Sequence, residues 1–216
     1  MRMKTPLLQP VERAAPLGER VYELLREYLR SGRVTWGEAL REALARLASE
    51  GLVEAHGRSF TVPALTGSDL EDIYDLRLLL EIEAVRQAAR HGDGGQGVKE
   101  IRRALGEAEA AHACKDAEGF IAANRSFRAA WLSLVRNRRL VRTVELYADH
   151  VRALQFLTLG DPQRQKEVLR GMQDILTTIE RRAEEEAAQA MRRYLGISRN
   201  AMLQAAGRMT GAAQVA

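Results

Sequence analysis

Cysteine is almost absent: Cys114 stands alone among 216 residues. One thiol excludes an internal disulfide framework and a cysteine-based zinc finger, and it fits a reducing cytoplasm. Proline is scarce, with five residues, so little interrupts long helices. Aromatic residues make up only 5%. Four histidines leave few metal ligands. No run approaches 18 consecutive apolar residues, so no membrane-spanning helix is expected. Arg2 and Lys4 are not followed by an apolar stretch, so no signal peptide is expected. Charge of one sign is also lacking. The 33 basic and 29 acidic side chains leave a net +4. Residues 1–65 hold 10 basic and 8 acidic groups, and the rest holds 23 and 21. Each part carries +2, which permits a nucleic-acid partner without demanding one.

What is present is hydrophobic periodicity, within a composition 46% hydrophobic and 29% charged. Val21, Leu24, Leu25, Tyr28 and Leu29 predict a helix over 17–33, ended by Ser31-Gly32. Ala39, Leu40, Ala43, Leu44 and Leu47 predict a second over 36–50, with Gly51 as its stop. The period then becomes that of extended chain. Leu52–Ala55 and Ser59–Val62 flank His56-Gly57-Arg58, which reads as a hairpin with a basic tip, closed by Pro63. Helix, helix and hairpin is how a winged helix-turn-helix ends, although other small α+β modules share the pattern.

Beyond a linker at 64–67, the only signal is helical. Ser68 and Glu71 read as a capping box. Helices are expected over roughly 69–90, 97–113, 117–136, 138–158, 162–181 and 184–206, with a frayed tail from Gly207. Six such helices make an antiparallel bundle. The expected fold is mostly α: a winged helix-turn-helix over 1–65 and an all-helical domain over 66–216.

Particular words then narrow the reading. Val21-Tyr22-Glu23-Leu24-Leu25-Arg26, and above all Arg41-Glu42-Ala43-Leu44-Ala45-Arg46-Leu47-Ala48-Ser49-Glu50-Gly51-Leu52-Val53, resemble the DNA-reading domain of GntR-family transcription regulators. Asp75–Glu81, Asn124–Arg128 with Asn137, and Ala190–Leu195 resemble the FCD ligand-binding domain of the FadR-type branch. The resemblance implies a homodimer, cytoplasmic and bound to double-stranded operator DNA, responding to a small-molecule effector. It carries DNA contacts onto Thr35, Trp36, Gly37, Glu38 and Arg41, with His56 and Arg58 at the wing tip. There is one departure. The family places about 20 residues, its second helix and turn, where Val34 here runs directly into Thr35. Trp36-Gly37 replaces the usual basic and hydroxyl residues. Either the domain has lost that helix or the sequence omits it. Its loss would leave the apolar face of 39–47 half uncovered, at about 25 cal/mol per Å².

The resemblance also implies a divalent metal, held by an Asp and a His four residues apart and by two further histidines. Positions four apart share a helix face and can grip one ion. Those slots fall on Asn124, Arg128, Met172 and Tyr194, and His56, His91, His112 and His150 lie outside them. No metal or other cofactor is expected. Periodicity turns these positions inward: Phe120, Asn124, Phe127, Trp131 and Leu134 form one stripe, and Val168, Met172, Ile175, Leu176 and Ile179 another. An inward Arg128 needs an anion. One reading makes Arg128 and Arg77 the anchor of an acidic, carboxylate-containing effector, with Asn124, Tyr194 and Met172 around it. The other pairs Arg128 internally with Glu81, or turns it to solvent. Glu184-Glu185-Glu186 reads as an acidic first helical turn, and Arg136, Arg138 and Arg139 as a solvated cluster.

The leading expectation is a ligand-responsive DNA-binding regulator. The alternatives are an effector-binding and dimerisation protein that has lost DNA binding, or an enzyme using the helical pocket. No nucleophile–base pair, phosphate-binding glycine loop or metal motif favours the enzyme.

Overall fold

A computed structural model describes residues 38–57, 59–61, 65–92 and 95–213. The expected helix over 17–33 and the Val34–Thr35 junction lie outside these residues. The chain divides into two compact units between Thr61 and Val62.

The described part of the first unit is a helix and a hairpin. Helix α1 (Glu38–Ser49) ends where Gly51 takes a positive φ of 72°. That turn lets the Leu52 N–H donate to the Leu47 carbonyl (2.9 Å) and the Gly51 N–H to Ala48 (3.1 Å), capping the helix C-terminus. Strands β1 (Glu54–His56) and β2 (Ser59–Thr61) pair antiparallel, with Glu54 opposite Thr61, Ala55 opposite Phe60 and His56 opposite Ser59. Gly57, with φ 63°, supplies the turn that the sequence placed there.

Among the described residues the second unit has six helices: α2 (Gly67–His91), α3 (Gln96–Ala113), α4 (Ala117–Ser133), α5 (Arg138–Leu159), α6 (Pro162–Glu180) and α7 (Glu184–Ala213). Local chemistry sets most of the boundaries. Asp116 caps α4 by accepting from the Gly119 N–H, Asn137 caps α5 from Arg139 and Leu140, and Asp161 caps α6 from Gln163, with Pro162 in its first turn.

Three expectations need correction. The box at the start of α2 is Thr66 with Asp69, not Ser68 with Glu71. Two hydroxyl–carboxylate frames overlap there, and the helix begins early enough to use the first. The Asp69 N–H donates to Thr66 Oγ1 (3.2 Å), and the Thr66 N–H donates to Asp69 Oδ2 (2.8 Å). The Thr66 hydroxyl, donating to Asp69 Oδ2 at 2.6 Å, and then the Thr66 N–H hold the Asp69 carboxyl below the ordinary aspartate range. Helix α4 stops at Ser133 rather than 136 because Asn137 is committed to capping α5. Helix α7 continues to Ala213 instead of fraying at Gly207, since no proline or cap stops an alanine- and methionine-rich run.

Helix α3 packs chiefly on α4, and α2 on α7, which also packs on α6. Small side chains allow close approach: Ala84, Ala88, Ala187 and Ala190 are fully or almost fully buried. The core is filled by Leu70, Tyr74, Ile101, Phe120, Phe127, Ile175, Ile179 and Leu195. Both stripes read from the sequence are buried except at Leu134, which is half-buried. No described helix is long and apolar enough to cross a membrane.

Candidate functional site

The residues carried over for DNA contact are placed only in part. Thr35, Trp36 and Arg58 lie outside the described residues, and Glu38 opens α1. Arg41 is exposed on α1. His56 is exposed on β1, with Nε2 3.3 Å from the Glu54 carboxylate.

The five effector candidates all lie within the helical unit. Arg77 and Glu81 stand one turn apart on α2, and the Arg77 Nε donates to Glu81 Oε1 at 2.7 Å. From α4, Arg128 Nη2 reaches the same oxygen at 2.9 Å. Side-chain exposure is 3% for Arg77, 1% for Glu81 and 19% for Arg128, so this is a buried cluster of two cations on one anion. The internal pairing of Arg128 with Glu81 is thus formed, and Arg77 shares it. The Arg77 guanidinium also lies 4.6 Å over the Tyr74 ring, and Arg128 Nη2 is 3.4 Å from the Val144 carbonyl on α5.

The cluster is electrostatically incomplete. Two guanidiniums and one carboxylate leave +1 in a region of low dielectric. Arg77 Nη1, Arg128 Nε and Glu81 Oε2 have no hydrogen-bond partner within the protein. Burial pushes the Glu81 carboxyl up, but the Arg128 and Arg77 charges outweigh it and hold the group below the ordinary glutamate range. Burial also disfavours the Arg77 charge, and Glu81 more than restores it.

Beside this cluster, the Asn124 Nδ2 donates to the Tyr194 hydroxyl at 2.9 Å and approaches Met172 Sδ at 3.7 Å. Three helices thus bring together three residues separated by 48 and 70 positions. Gly171 makes room for them: a Cβ there would lie 2.5 Å from Tyr194 Cδ2. Burial raises the Tyr194 phenol above its ordinary value, against the Asn124 hydrogen bond and the Arg128 and Arg77 charges.

The family's divalent metal does not fit this set. An amide facing the site through its N–H, a thioether and an un-ionised phenol are poor ligands. The nearby carboxylate already holds two guanidiniums, and a dication would meet residual positive charge. No group of three His, Cys, Asp or Glu poised for a metal occurs among the described residues. The histidines are used elsewhere. The His91 Nδ1 lies 2.7 Å from the Gln87 carbonyl, His112 Nδ1 lies 2.7 Å from Gln165 Oε1, and His150 stacks near Tyr147.

Next to Asn124 and Tyr194 is a cavity of about 30 Å³, walled also by Gln155, Thr158, Leu159, Arg164, Val168, Ile197, Ser198, Ala201 and Met202. Arg164 was not legible as a site residue. Its position, two residues after the helix-starting Pro162, gives no motif; only the register of Arg164, Val168 and Met172 on one helix face would have shown it. The acidic run at the start of α7 does more than face the helix dipole. Glu184 pairs with Arg90 (2.6 Å), Glu185 with Arg86 (2.9 Å) and Glu186 with Arg181 (2.9 Å). Arg136, Arg138 and Arg139 are exposed, and Cys114 is exposed at the end of α3.

Known proteins share this architecture. Residues 72–196 match the FCD domain. An uncharacterized HTH-type transcriptional regulator of Bacillus subtilis (strain 168), YdhC, is 28% identical over 153 residues, covering 69% of this chain and 67% of that protein. The Nta operon transcriptional regulator of Aminobacter aminovorans is 30% identical over 142 residues, 65% of each chain. The matched stretch therefore spans about two thirds of each relative. Among solved structures, E. coli McbR/YncC superposes with a TM-score of 0.70 at 23% identity, over 76% of this chain and 83% of its own. A GntR regulator from Rhodococcus sp. RHA1 gives 0.61 at 20% identity, over 86% and 97%. These two structures establish the fold, and the FCD match establishes the family. The chain belongs to the GntR family of transcription regulators, in the branch built on an FCD domain.

Proposed function

We propose that this chain is a cytoplasmic, homodimeric regulator that binds operator DNA through residues 1–65 and a small acidic effector through 66–216. Arg41, His56 and the carried-over Thr35, Trp36, Glu38 and Arg58 make the DNA contacts. Arg128 and Arg77 anchor the effector's carboxylate, Asn124 and Tyr194 hydrogen-bond to it, and Met172 lines the site. No metal takes part. The carrying observation is the buried +1 of the Arg77–Glu81–Arg128 cluster, with guanidinium N–H groups that lack a partner. An arriving carboxylate competes with Glu81 for Arg128. It thereby alters the contact of Arg128 with the Val144 carbonyl, which ties α4 to α5. Two helix arrangements with different effector affinity are all that a population shift requires.

The test is calorimetric titration of the full chain with a panel of small carboxylates. A binder should be found whose affinity collapses in Arg128→Met; affinity unchanged in that variant would remove the anchor. Binding to the promoter region should weaken steeply with added salt. A second reading, an effector-binding protein without DNA binding, is favoured by the direct Val34–Thr35 junction. Intact mass separates the two. A polypeptide heavier than 24.1 kDa by one helix and a turn restores the complete DNA-reading domain, and a match to 24.1 kDa favours the second reading.

A further inference from the structure

We infer that the arginine cluster at the corner between α4 and α5, made of Arg136, Arg138, Arg139 and Arg142, is a second DNA-binding surface that grips the phosphates of duplex DNA. The inference rests on the DNA-binding reading above and adds a contact outside residues 1–65. Its first support is charge segregation. Residues 119–144 contain six arginines and no aspartate or glutamate. The remainder of the chain holds 27 basic and 29 acidic side chains, so this stretch supplies the whole positive excess. Arg128 is turned inward to Glu81, whereas Arg136, Arg138, Arg139 and Arg142 are exposed. None of these four has an ion-pair partner among the described residues. Elsewhere in the same domain Arg86, Arg90, Arg102 and Arg181 each hold a glutamate.

The cluster also stands where a helix disfavours cations. Asn137 caps α5, so Arg138 and Arg139 lie in its first turn, at the positive end of the helix dipole, and that turn has no acidic residue. Arg142 follows Arg138 by four residues, which sets two like charges on one helix face. Helix α7 of the same domain shows the opposite arrangement: Glu184, Glu185 and Glu186 open it, and each is paired with an arginine. A group of cations that repel one another and the helix end in the free protein becomes favourable when an anionic surface lies over it.

The chemistry of the patch favours duplex phosphates over other anionic partners. All four cations are arginine, whose planar fork meets two phosphate oxygens with parallel hydrogen bonds. Asn137, the amide of the cluster, is committed to the Arg139 and Leu140 N–H groups, so the patch offers charge rather than an amide to read bases. Residues 132–146 include no aromatic side chain on which the bases of a single strand could stack. The large apolar side chains exposed among the described residues, Leu76 and Leu79, are on α2, so this corner lacks the apolar centre of a protein–protein interface.

The test is fluorescence anisotropy of the full chain with two labelled duplexes of equal length, one from the region upstream of its gene and one with that sequence scrambled, over a series of salt concentrations. In the triple variant Arg138→Gln, Arg139→Gln, Arg142→Gln, both duplexes should bind at least about tenfold more weakly at low salt, and the slope of log affinity against log salt should become shallower by about 2–3, close to 0.9 for each phosphate released. Lysine at the same three positions should restore most of both. The glutamine variant should melt no lower than the parent, since it removes cations from the positive end of a helix. A control, Arg102→Gln, Arg103→Gln, Arg193→Gln, removes the same charge from exposed ion pairs and should change affinity by less than about threefold. Equal losses in the two triple variants reduce the effect to net charge and overturn the inference. So does a lowered melting temperature, or unchanged DNA binding with an altered subunit number in sedimentation, which makes the patch a contact between copies. Binding of the upstream duplex that survives the first triple variant overturns this inference and leaves the operator reading standing. No binding of either duplex by the parent chain sinks both.

Discussion

Removing the Glu81 carboxylate should be among the most damaging single changes to the helical domain. In Glu81→Ala, Arg77 and Arg128 keep their charges in a buried site and lose the oxygen both of them hold, at 2.7 and 2.9 Å. Removing one partner from a buried ionic network typically costs about 3–5 kcal/mol, because the charges left behind are uncompensated. For a domain of roughly 150 residues that corresponds to a fall in Tm of about 10–15 °C. Arg128→Met should cost much less, because it leaves a neutral Arg77–Glu81 pair and retains the aliphatic stem. Thermal melts followed by circular dichroism, at neutral pH and low salt, measure both. The pH dependence supplies an independent check. The Glu81 pKa is lower in the folded state than in the unfolded chain. Its contribution is therefore complete above the unfolded value of about 4.3 and disappears as pH falls through the depressed folded value. Glu81→Gln lacks this titration, so its melting curve and that of the parent chain should converge on acidification. The reasoning is refuted if Glu81→Ala melts within about 2 °C of the parent, or if Arg128→Met costs as much as Glu81→Ala.

Two further expectations concern geometry. Gly171→Ala places a Cβ against the Tyr194 ring, and should cost about 1–3 kcal/mol and weaken the Asn124–Tyr194 hydrogen bond. Urea unfolding reads the first and the near-ultraviolet tyrosine signal the second; an unperturbed tyrosine signal would show that the ring has room to move. Thr66→Ala removes the hydroxyl that caps α2 and should cost about 1 kcal/mol, whereas Ser68→Ala should cost almost nothing. The reverse order in urea unfolding would return the capping role to Ser68.

Much of this protein is determined by local chemistry and was therefore open to sequence reading. Six helices, their breaks at Asn137 and Asp161-Pro162, and the Gly57 hairpin follow from residues within a few positions of one another. Helical spacing also turned Asn124, Met172 and Tyr194 inward, and the composition of the metal slots argued against a metal. The capping box shows where local reading fails: Thr66 and Ser68 offer competing frames, and only the actual start of α2 separates them.

What tertiary structure decided is which distant groups meet. Periodicity faced Arg128 inward, but packing of α2 against α4 gave it Glu81, and gave Glu81 a second arginine one turn away. The pairing of Glu184 and Glu185 with Arg90 and Arg86, more than 90 positions away, has the same origin. Arg164 joined the cavity only because α6 and α7 run past each other in one particular register. Side-chain direction along a helix is set by neighbours three and four residues away, whereas charge partners are set by how whole helices pack. The sequence by itself therefore determined the helices and their inward faces. Their packing decided that two cations share one anion in the interior, leaving the unbalanced charge on which the proposed effector site rests.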